Sequence, residues 1–351
     1  MSGPSRPLKS RAGRRFEDFT LGQRLVHPIP RTVTAADMAL HTALTGTRNL
    51  LSHAETVARR LGFAGSPVED LVVFHVILSR SVPDISHAVI ANLGFAGIRF
   101  GVPVYPGDTL RAESEVIGLR RTRDGRAGVV WVRTHGTNQD GETVLDFHRW
   151  CLVPARDPDA PAPPPVVPEI AHAVPLVAFT VPRGANFALF DPAETGSDAL
   201  WDDYAVGERI DHVDGATFEE AEHQLMTRLW QITSRIHADA VFAGAQRHGR
   251  RLVYGGHVLA LARAISHNGL ANALRIAAIH RLDHKGPAFG GDTIYAWSEV
   301  TDREELPGRS DLGVLRLTTR ATRDRPCGDF PTDDPAVILE VDYSVLMPRR
   351  L

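Results

Sequence analysis

The chain has 351 residues, a formal net charge of −3, 43% hydrophobic residues and 23% charged residues. This composition is typical of a globular protein, and the slightly negative charge argues against nucleic acid as a partner. The apolar run LVVFHVIL at 71–78 is too short to cross a bilayer, so no membrane partner is expected. Two cysteines, Cys151 and Cys327, are too few for a disulfide scaffold, which favours a reducing, cytoplasmic location.

Two segments are predicted to lie outside the folded units. Residues 1–15 are basic and lack the apolar core of a signal peptide, so we expect a disordered basic tail there. Residues 153–200 are rich in proline, which holds the backbone extended and removes hydrogen-bond donors. We therefore expect this stretch to be a linker between two domains.

The two remaining parts of the chain, 16–152 and 201–351, repeat each other. Three pairs of segments recur in the same order at an offset of 184 or 185 residues: FEDFTLGQRLVH with WDDYAVGERIDH, HAE with HAD, and GDTLRAESEV with GDTIYAWSEV. Three matches with one order and one spacing indicate a duplicated domain, because structural repeats keep their internal spacing.

Each unit contains the same predicted elements in the same order. Thr34 with Asp37, and Thr217 with Glu220, fit a capping box, so each pair is expected to start a helix. An apolar run of helix length follows, LVVFHVILSRSV in the first unit and GGHVLALARAIS in the second. Alternating segments rich in β-branched residues then predict antiparallel strands. One buried helix with several strands, made twice, is an α+β pattern.

These residues resemble the MaoC-like hydratases, and the two fused units are similar to the mesaconyl-CoA hydratase branch of that family. The resemblance rests mainly on SVPDIS, IANLGFAGIRF and VYPGDTL in the first unit, and on RRLVYGGHVLALARAIS, NGLANA and GDTIYAWSEV in the second. It implies a double hot dog fold, in which two tandem units each wrap an antiparallel sheet around a long central helix. It also implies that acyl-CoA enters where the two units meet.

The activity implied by the resemblance is the reversible hydration of a short branched enoyl-CoA, with mesaconyl-CoA to β-methylmalyl-CoA as the first expectation. The CoA thioester is then the substrate, and neither another cofactor nor a metal ion is expected. The alternatives are a broader (R)-specific enoyl-CoA hydratase, a protein that binds acyl-CoA without catalysis, and a thioesterase, because one fold hosts many activities. The family also makes a homodimer of the fused chain possible.

The resemblance points to the second unit as the place of catalysis. His237 matches the family's catalytic histidine, and Asp239 matches a later acid. Gly256 matches the glycine whose N–H stabilises the enolate oxygen. A free N–H at the positive end of a helix suits a developing oxyanion, and glycine lets the thioester approach the backbone closely.

The first unit is predicted to carry a degenerate site. His53 matches the catalytic histidine, with one residue too many before it. Val73 and Phe74 are aligned with Gly255 and Gly256, and their bulky side chains would fill the space that a thioester needs.

Neither unit has the aspartate that the family places five residues before the histidine. Ile232 stands at that position before His237, and isoleucine can neither orient water nor accept a proton. An active protein therefore needs help from a neighbour, for which the candidates are Gln231, Ser234, Asp239, Glu69 and Asp70. The predicted substrate-binding residues are Gly255, Ser234, Gln231 and Arg99, the last because arginine suits CoA phosphates.

Overall fold

The computed structural model describes residues 9, 10 and 12–350, and its elements fall into two similar series. The first series is β1 (Arg24–Thr32), α1 (Ala35–Thr45), α2 (Leu50–His53), α3 (Glu55–Arg60), α4 (Asp70–Ser81), β2 (Ala91–Phe100), β3 (Thr109–Arg121), β4 (Ala127–Thr137) and β5 (Thr143–Pro154). The second series is β6 (Arg209–Thr217), α5 (Glu220–Leu229), α6 (Arg235–Ala238), α7 (Ala240–Gly244), α8 (Gly255–Ile265), α9 (His267–Leu270), β7 (Arg275–His284), β8 (Thr293–Glu305), β9 (Leu312–Arg323) and β10 (Val337–Pro348). Most of the predicted basic tail, residues 1–8 and 11, lies outside the described residues.

The ten strands form one antiparallel sheet that runs through both units. Their spatial order is β1-β3-β4-β5-β2-β7-β10-β9-β8-β6, so each unit contributes five adjacent strands. The two halves are joined where β2 pairs with β7, with Phe95 opposite Leu282 and Ile98 opposite Ile279.

The helices α4 and α8 provide the centre of the core in the two units. Every residue of α4 is buried, and α8 buries nine of its eleven residues. Their apolar side chains belong to one hydrophobic cluster together with residues of strands from both halves. The α+β class is therefore confirmed, with one long buried helix against a sheet in each unit.

The recurring histidine and serine form the same buried hydrogen-bonded chain in both units. His27 Nε2 lies 2.8 Å from Ser114 Oγ, which lies 2.8 Å from Thr134 Oγ1. The second unit repeats this chain at 2.8 and 2.6 Å with His212, Ser298 and Thr319. Because buried polar groups need partners, this chain across three strands gives the repeated residues a structural role.

The aromatic residue that opens each unit packs directly on a strand glycine. A Cβ at Gly128 would lie 2.2 Å from the ring of Phe16, and a Cβ at Gly313 would lie 2.4 Å from the ring of Trp201. Both aromatic side chains are buried. Each unit thus needs a residue without a side chain at this point of its fourth strand.

One of the two predicted capping boxes is present. Thr34 accepts a hydrogen bond from the N–H of Asp37, whose carboxylate accepts from the N–H of Thr34 at 2.8 Å. The predicted box in the second unit is wrong, because α5 begins at Glu220 without a side-chain cap. Thr217 instead ends β6, and its Oγ1 lies 2.9 Å from Thr293 Oγ1.

The predicted linker is packed against the folded units over part of its length. β5 continues to Pro154, two residues beyond the predicted end of the first unit. Val166 forms a bridge with Leu119, and the buried ring of Phe187 lies edge-on to Phe63 at a centroid distance of 6.1 Å. The stretch therefore contributes apolar contacts as well as a covalent connection.

Within the described residues, no helix combines the length and the apolar character needed to cross a membrane.

We expect Gly313→Ala to lower the free energy of unfolding by about 1–3 kcal/mol, because the added methyl overlaps the ring of Trp201. Urea unfolding measures the change. Gly244→Ala is the control, because a Cβ at this position in α7 meets no heavy atom within 4 Å. Equal stability of the two variants would contradict the packing described here.

Candidate active site

The starts of the two central helices are structurally equivalent. Just before α4, the N–H of Val68 donates to the carbonyl oxygen of Val104 at 2.8 Å. Just before α8, the N–H of Val253 donates to the carbonyl oxygen of Ala288 at 2.8 Å. The helices begin at Asp70 and Gly255, which differ by 185 residues, the offset also seen in the repeated segments.

This equivalence corrects the alignment of the two units. Gly255 and Gly256 correspond to Asp70 and Leu71, whereas the sequence analysis paired them with Val73 and Phe74. That pairing was wrong by three residues, because a motif comparison does not locate the first turn of a helix. The side chains that decide whether the first unit has an open site are therefore those around 69–71.

In the second unit, His237 lies on the short helix α6 with one ring nitrogen engaged. Nδ1 lies 3.0 Å from the carbonyl oxygen of Leu252, which can only accept, so Nδ1 carries the hydrogen and Nε2 keeps its lone pair. Burial lowers the pKa of His237 to about 4, so the ring is neutral at neutral pH. A neutral imidazole with a free Nε2 is able to act as a base.

The two glycines at the start of α8 lie close to this histidine. Within the described residues, neither Gly255 N–H nor Gly256 N–H donates to a protein acceptor, as expected in a first helical turn. A Cβ at Gly255 would lie 2.7 Å from the ring of His284, and a Cβ at Gly256 would lie 2.5 Å from that of Tyr254. The ring of Tyr254 lies 6.0 Å from that of His237. The ring of Tyr254 thus contacts the glycine side and lies near His237, and the rings of Tyr254 and His284 both pack against the two glycines.

The other predicted residues of the second unit have partners within the fold or lie at element ends. Asp239 accepts from the N–H of Phe242 at 2.9 Å, which caps α7, and it pairs with Arg235 at 2.9 Å. Gln231 has a positive φ and accepts from an arginine of α4, while the buried Ser234 is the residue immediately before α6. The catalytic and substrate-binding assignments of these residues stay predictions.

A cavity of about 830 Å³ lies at the start of α4, in the first unit. This volume is in the range of small-molecule binding sites. Its walls come from α1, α2, α3, the segment before α4 and the turn at 105–106, and the lining includes Met38, His41, His53, Arg59, Glu69 and Tyr105. The predicted substrate-binding residue Arg99 lies on β2 and does not line this cavity.

Glu69 is the residue immediately before the first turn of α4, and its side chain is only 13% exposed. Burial raises the pKa of Glu69 to about 7, although a hydrogen bond from Thr47 and the charge of Arg263 favour the carboxylate. His41 Nε2 lies 3.9 Å from the carboxylate, and burial lowers the pKa of His41 to about 3. A carboxyl group with a pKa near 7 can both donate and accept a proton at neutral pH.

His53 ends α2 on the wall of the same cavity. Its Nδ1 lies 2.8 Å from the carbonyl oxygen of Asn49, so Nδ1 carries the hydrogen. Its Nε2 lies 3.2 Å from Thr42 Oγ1 and keeps the lone pair. The first unit therefore presents a basic nitrogen and a protonatable carboxyl group to one cavity.

The start of α4 is tied to the second unit by a buried ion pair. Asp70 Oδ1 lies 2.7 Å from Arg275 Nη2, and Asp70 Oδ2 accepts from the N–H of Ile276 at 2.8 Å. The N–H of Leu71 donates to no protein acceptor within the described residues. The helix start is thus held in place while its backbone donor stays free.

Sequence reasoning noted Glu69 only as a helper for the other unit and did not identify His41. The signal that could have pointed to Glu69 was its position just before an apolar helix, whereas its equivalence to Tyr254 became visible only in the structure. His41 had no such signal, because a histidine within a helical pattern resembles many buried histidines.

Comparisons with known proteins agree on one family. The family model described as mesaconyl-CoA hydratase matches residues 6–327. The β-methylmalyl-CoA dehydratase of Chloroflexus aurantiacus is 53% identical over 97% of this chain and 99% of that protein. The mesaconyl-CoA hydratase of Cereibacter sphaeroides is 48% identical over 97% of this chain and 100% of that protein.

Solved structures show the same fold. A MaoC domain protein dehydratase from Chloroflexus aurantiacus covers 98% of this chain and 100% of its own, with 53% identity and a TM-score of 0.96. A Mycobacterium tuberculosis protein described as a double hotdog covers 96% of this chain and 99% of its own, with 24% identity and a TM-score of 0.78. The expected double hot dog fold is confirmed.

We expect Asp70→Ala to lower the free energy of unfolding by about 3–5 kcal/mol, because it leaves Arg275 buried without its partner. Asp283→Ala is the matched control, because Asp283 pairs with the half-exposed Arg281 on the same strand as Arg275, and its loss costs under about 1 kcal/mol. Denaturant unfolding of both variants gives the comparison. Similar losses of unfolding free energy in the two variants would show that the ion pair of Asp70 and Arg275 is not buried as described.

The raised pKa of Glu69 predicts a pH-dependent stability. Its folded pKa of about 7 exceeds the ordinary value of 4.5, so folding favours the protonated carboxyl group. Stability is then lost as pH rises from about 4.5 to about 7, by up to about 3 kcal/mol, and it levels off above that range. The unfolding free energy of the wild type minus that of Glu69→Gln should fall across this window. A difference that is constant with pH would contradict the raised pKa.

Proposed function

This chain belongs to the mesaconyl-CoA hydratase family, and we propose that it catalyses the reversible hydration of mesaconyl-CoA to β-methylmalyl-CoA. The observation that carries the proposal is the similarity to two proteins named for the two directions of this reaction, at 53% and 48% identity over 97% of the chain. The enzyme is a hydro-lyase of the MaoC-like type.

The reaction needs three things from the protein. Water must lose a proton as its oxygen adds to the β-carbon, the enolate oxygen of the thioester must be stabilised, and the α-carbon must receive a proton. A histidine near a helix start with a free backbone N–H meets the first two needs. Both units of this chain contain such a place, so the fold offers two positions for the thioester.

The assignment that follows from the family resemblance places the reaction in the second unit. Its support is the Nε2 of His237 and the N–H of Gly256, neither of which has a hydrogen-bond partner within the described residues. In this assignment Asp239 contributes an acid, and the thioester has to fit beside the rings of Tyr254 and His284, which pack against the two glycines.

Acyl-CoA is the proposed small-molecule partner, and the CoA thioester is the reactant, with neither a further cofactor nor a metal ion involved. A homodimer of the fused chain and a cytoplasmic location remain parts of this proposal.

The substrate is tested with purified protein by following the enoyl-thioester absorbance. Mesaconyl-CoA should lose this band and give a product heavier by one water, and β-methylmalyl-CoA should regain the band, because the hydration is reversible. Crotonyl-CoA, which lacks the free carboxylate and the methyl branch, is the control and should react at least about tenfold more slowly.

Three results would contradict the proposal in different ways. Preference for crotonyl-CoA indicates a broader enoyl-CoA hydratase, and release of free CoA thiol indicates a thioesterase. Tight binding of mesaconyl-CoA by calorimetry without any change in absorbance indicates a protein that binds acyl-CoA and does not catalyse.

A further inference from the structure

We propose that the hydration takes place in the cavity of the first unit, with Glu69 as the carboxyl group that protonates the α-carbon and His53 as the base that takes a proton from water. The inference rests on the proposed reaction, and it replaces the second-unit assignment that follows from the family resemblance with a different unit and a different acid. It also assigns an acid to a chain that lacks the family's aspartate in both units.

The start of α4 offers space for a substrate. The cavity of about 830 Å³ opens there, whereas at the start of α8 the rings of His284 and Tyr254 pack against Gly255 and Gly256. Glu69 and Tyr254 hold the same position before their helices. The glutamate lines the cavity of the first unit, and the tyrosine packs against a glycine in the second.

Two reacting groups converge on that cavity. Glu69, the residue before α4, and His53, the last residue of α2, line it from two different elements.

A histidine of the cavity wall has a buried polar atom without a partner. His41 is 2% exposed, and within the described residues its Nδ1 makes no hydrogen bond. Because buried polar groups are normally satisfied, this nitrogen suits a polar group of a ligand. The other ring nitrogen, Nε2, lies 3.9 Å from the carboxylate of Glu69, so both residues contribute polar atoms to the cavity wall.

The reaction balances with these groups. His53 Nε2 takes one proton from water while the water oxygen forms a bond to the β-carbon, and the π electrons move onto the thioester oxygen. The enolate then collapses as the protonated carboxyl group of Glu69 gives its proton to the α-carbon. Transfer of the proton from His53 to the Glu69 carboxylate restores both residues, and the dehydration is the same sequence in reverse.

Glu69→Gln is the direct test, because it keeps the size of the side chain and removes the transferable proton. We expect kcat with mesaconyl-CoA to fall by at least about 100-fold, while the calorimetric affinity for mesaconyl-CoA changes by less than about fivefold. Glu304→Gln, on β8, is the matched control and should keep wild-type kcat. Retained binding shows that the Glu69→Gln protein is folded.

A second variant tests the location independently of Glu69. Met38 is half-buried and lines the cavity, so Met38→Trp should fill it and raise KM or abolish turnover. Wild-type turnover in both Glu69→Gln and Met38→Trp would overturn the inference. Loss of turnover in His237→Ala together with full activity in these two variants would assign the reaction to the second unit.

Failure of the proposed function has a different result. In that case the wild type itself leaves the absorbance of mesaconyl-CoA unchanged, and the three variants are not informative about the reaction. The inference about the first unit is overturned only by an active wild type whose activity survives both substitutions.

Discussion

The antiparallel pairing of β2 with β7 is the contact on which the architecture depends. It joins two half-sheets into one sheet of ten strands and brings α4 and α8 into a single hydrophobic core. The start of α4 is fixed by the same junction, because Asp70 pairs with Arg275 and with the backbone of β7. The shape of each candidate site therefore depends on the other unit as well as its own.

The two units share the same contacts between their strands but have different residues at the starts of their central helices. The buried chains from His27 and from His212 are the same in kind, and so are the contacts of Phe16 and Trp201 with glycine. These hydrogen bonds and contacts hold the strands of each unit together. At the helix starts, by contrast, Glu69 lines a cavity in one unit, whereas the ring of Tyr254 packs against Gly256 in the other.

A hydratase that lacks the family's aspartate needs another way to move a proton. Burial offers one, because it raises the pKa of a carboxyl group into the range where proton transfer at neutral pH is effective. Glu69 has this environment next to the neutral His41, and it faces a cavity rather than a closed core. The chemistry of the family is thereby possible with a different residue at a different position.

The sequence by itself determined the repeat, the α+β class and the family, because these depend on spacing and on motifs that lie within single segments. It also identified the cap at Thr34, but it misplaced the cap at Thr217 and the alignment of Val73 and Phe74, since a short motif does not define where a helix begins. Only the tertiary structure revealed the cavity at the start of α4 and the packing of the Tyr254 and His284 rings against the start of α8. Such packing between distant segments leaves no periodic pattern in a sequence.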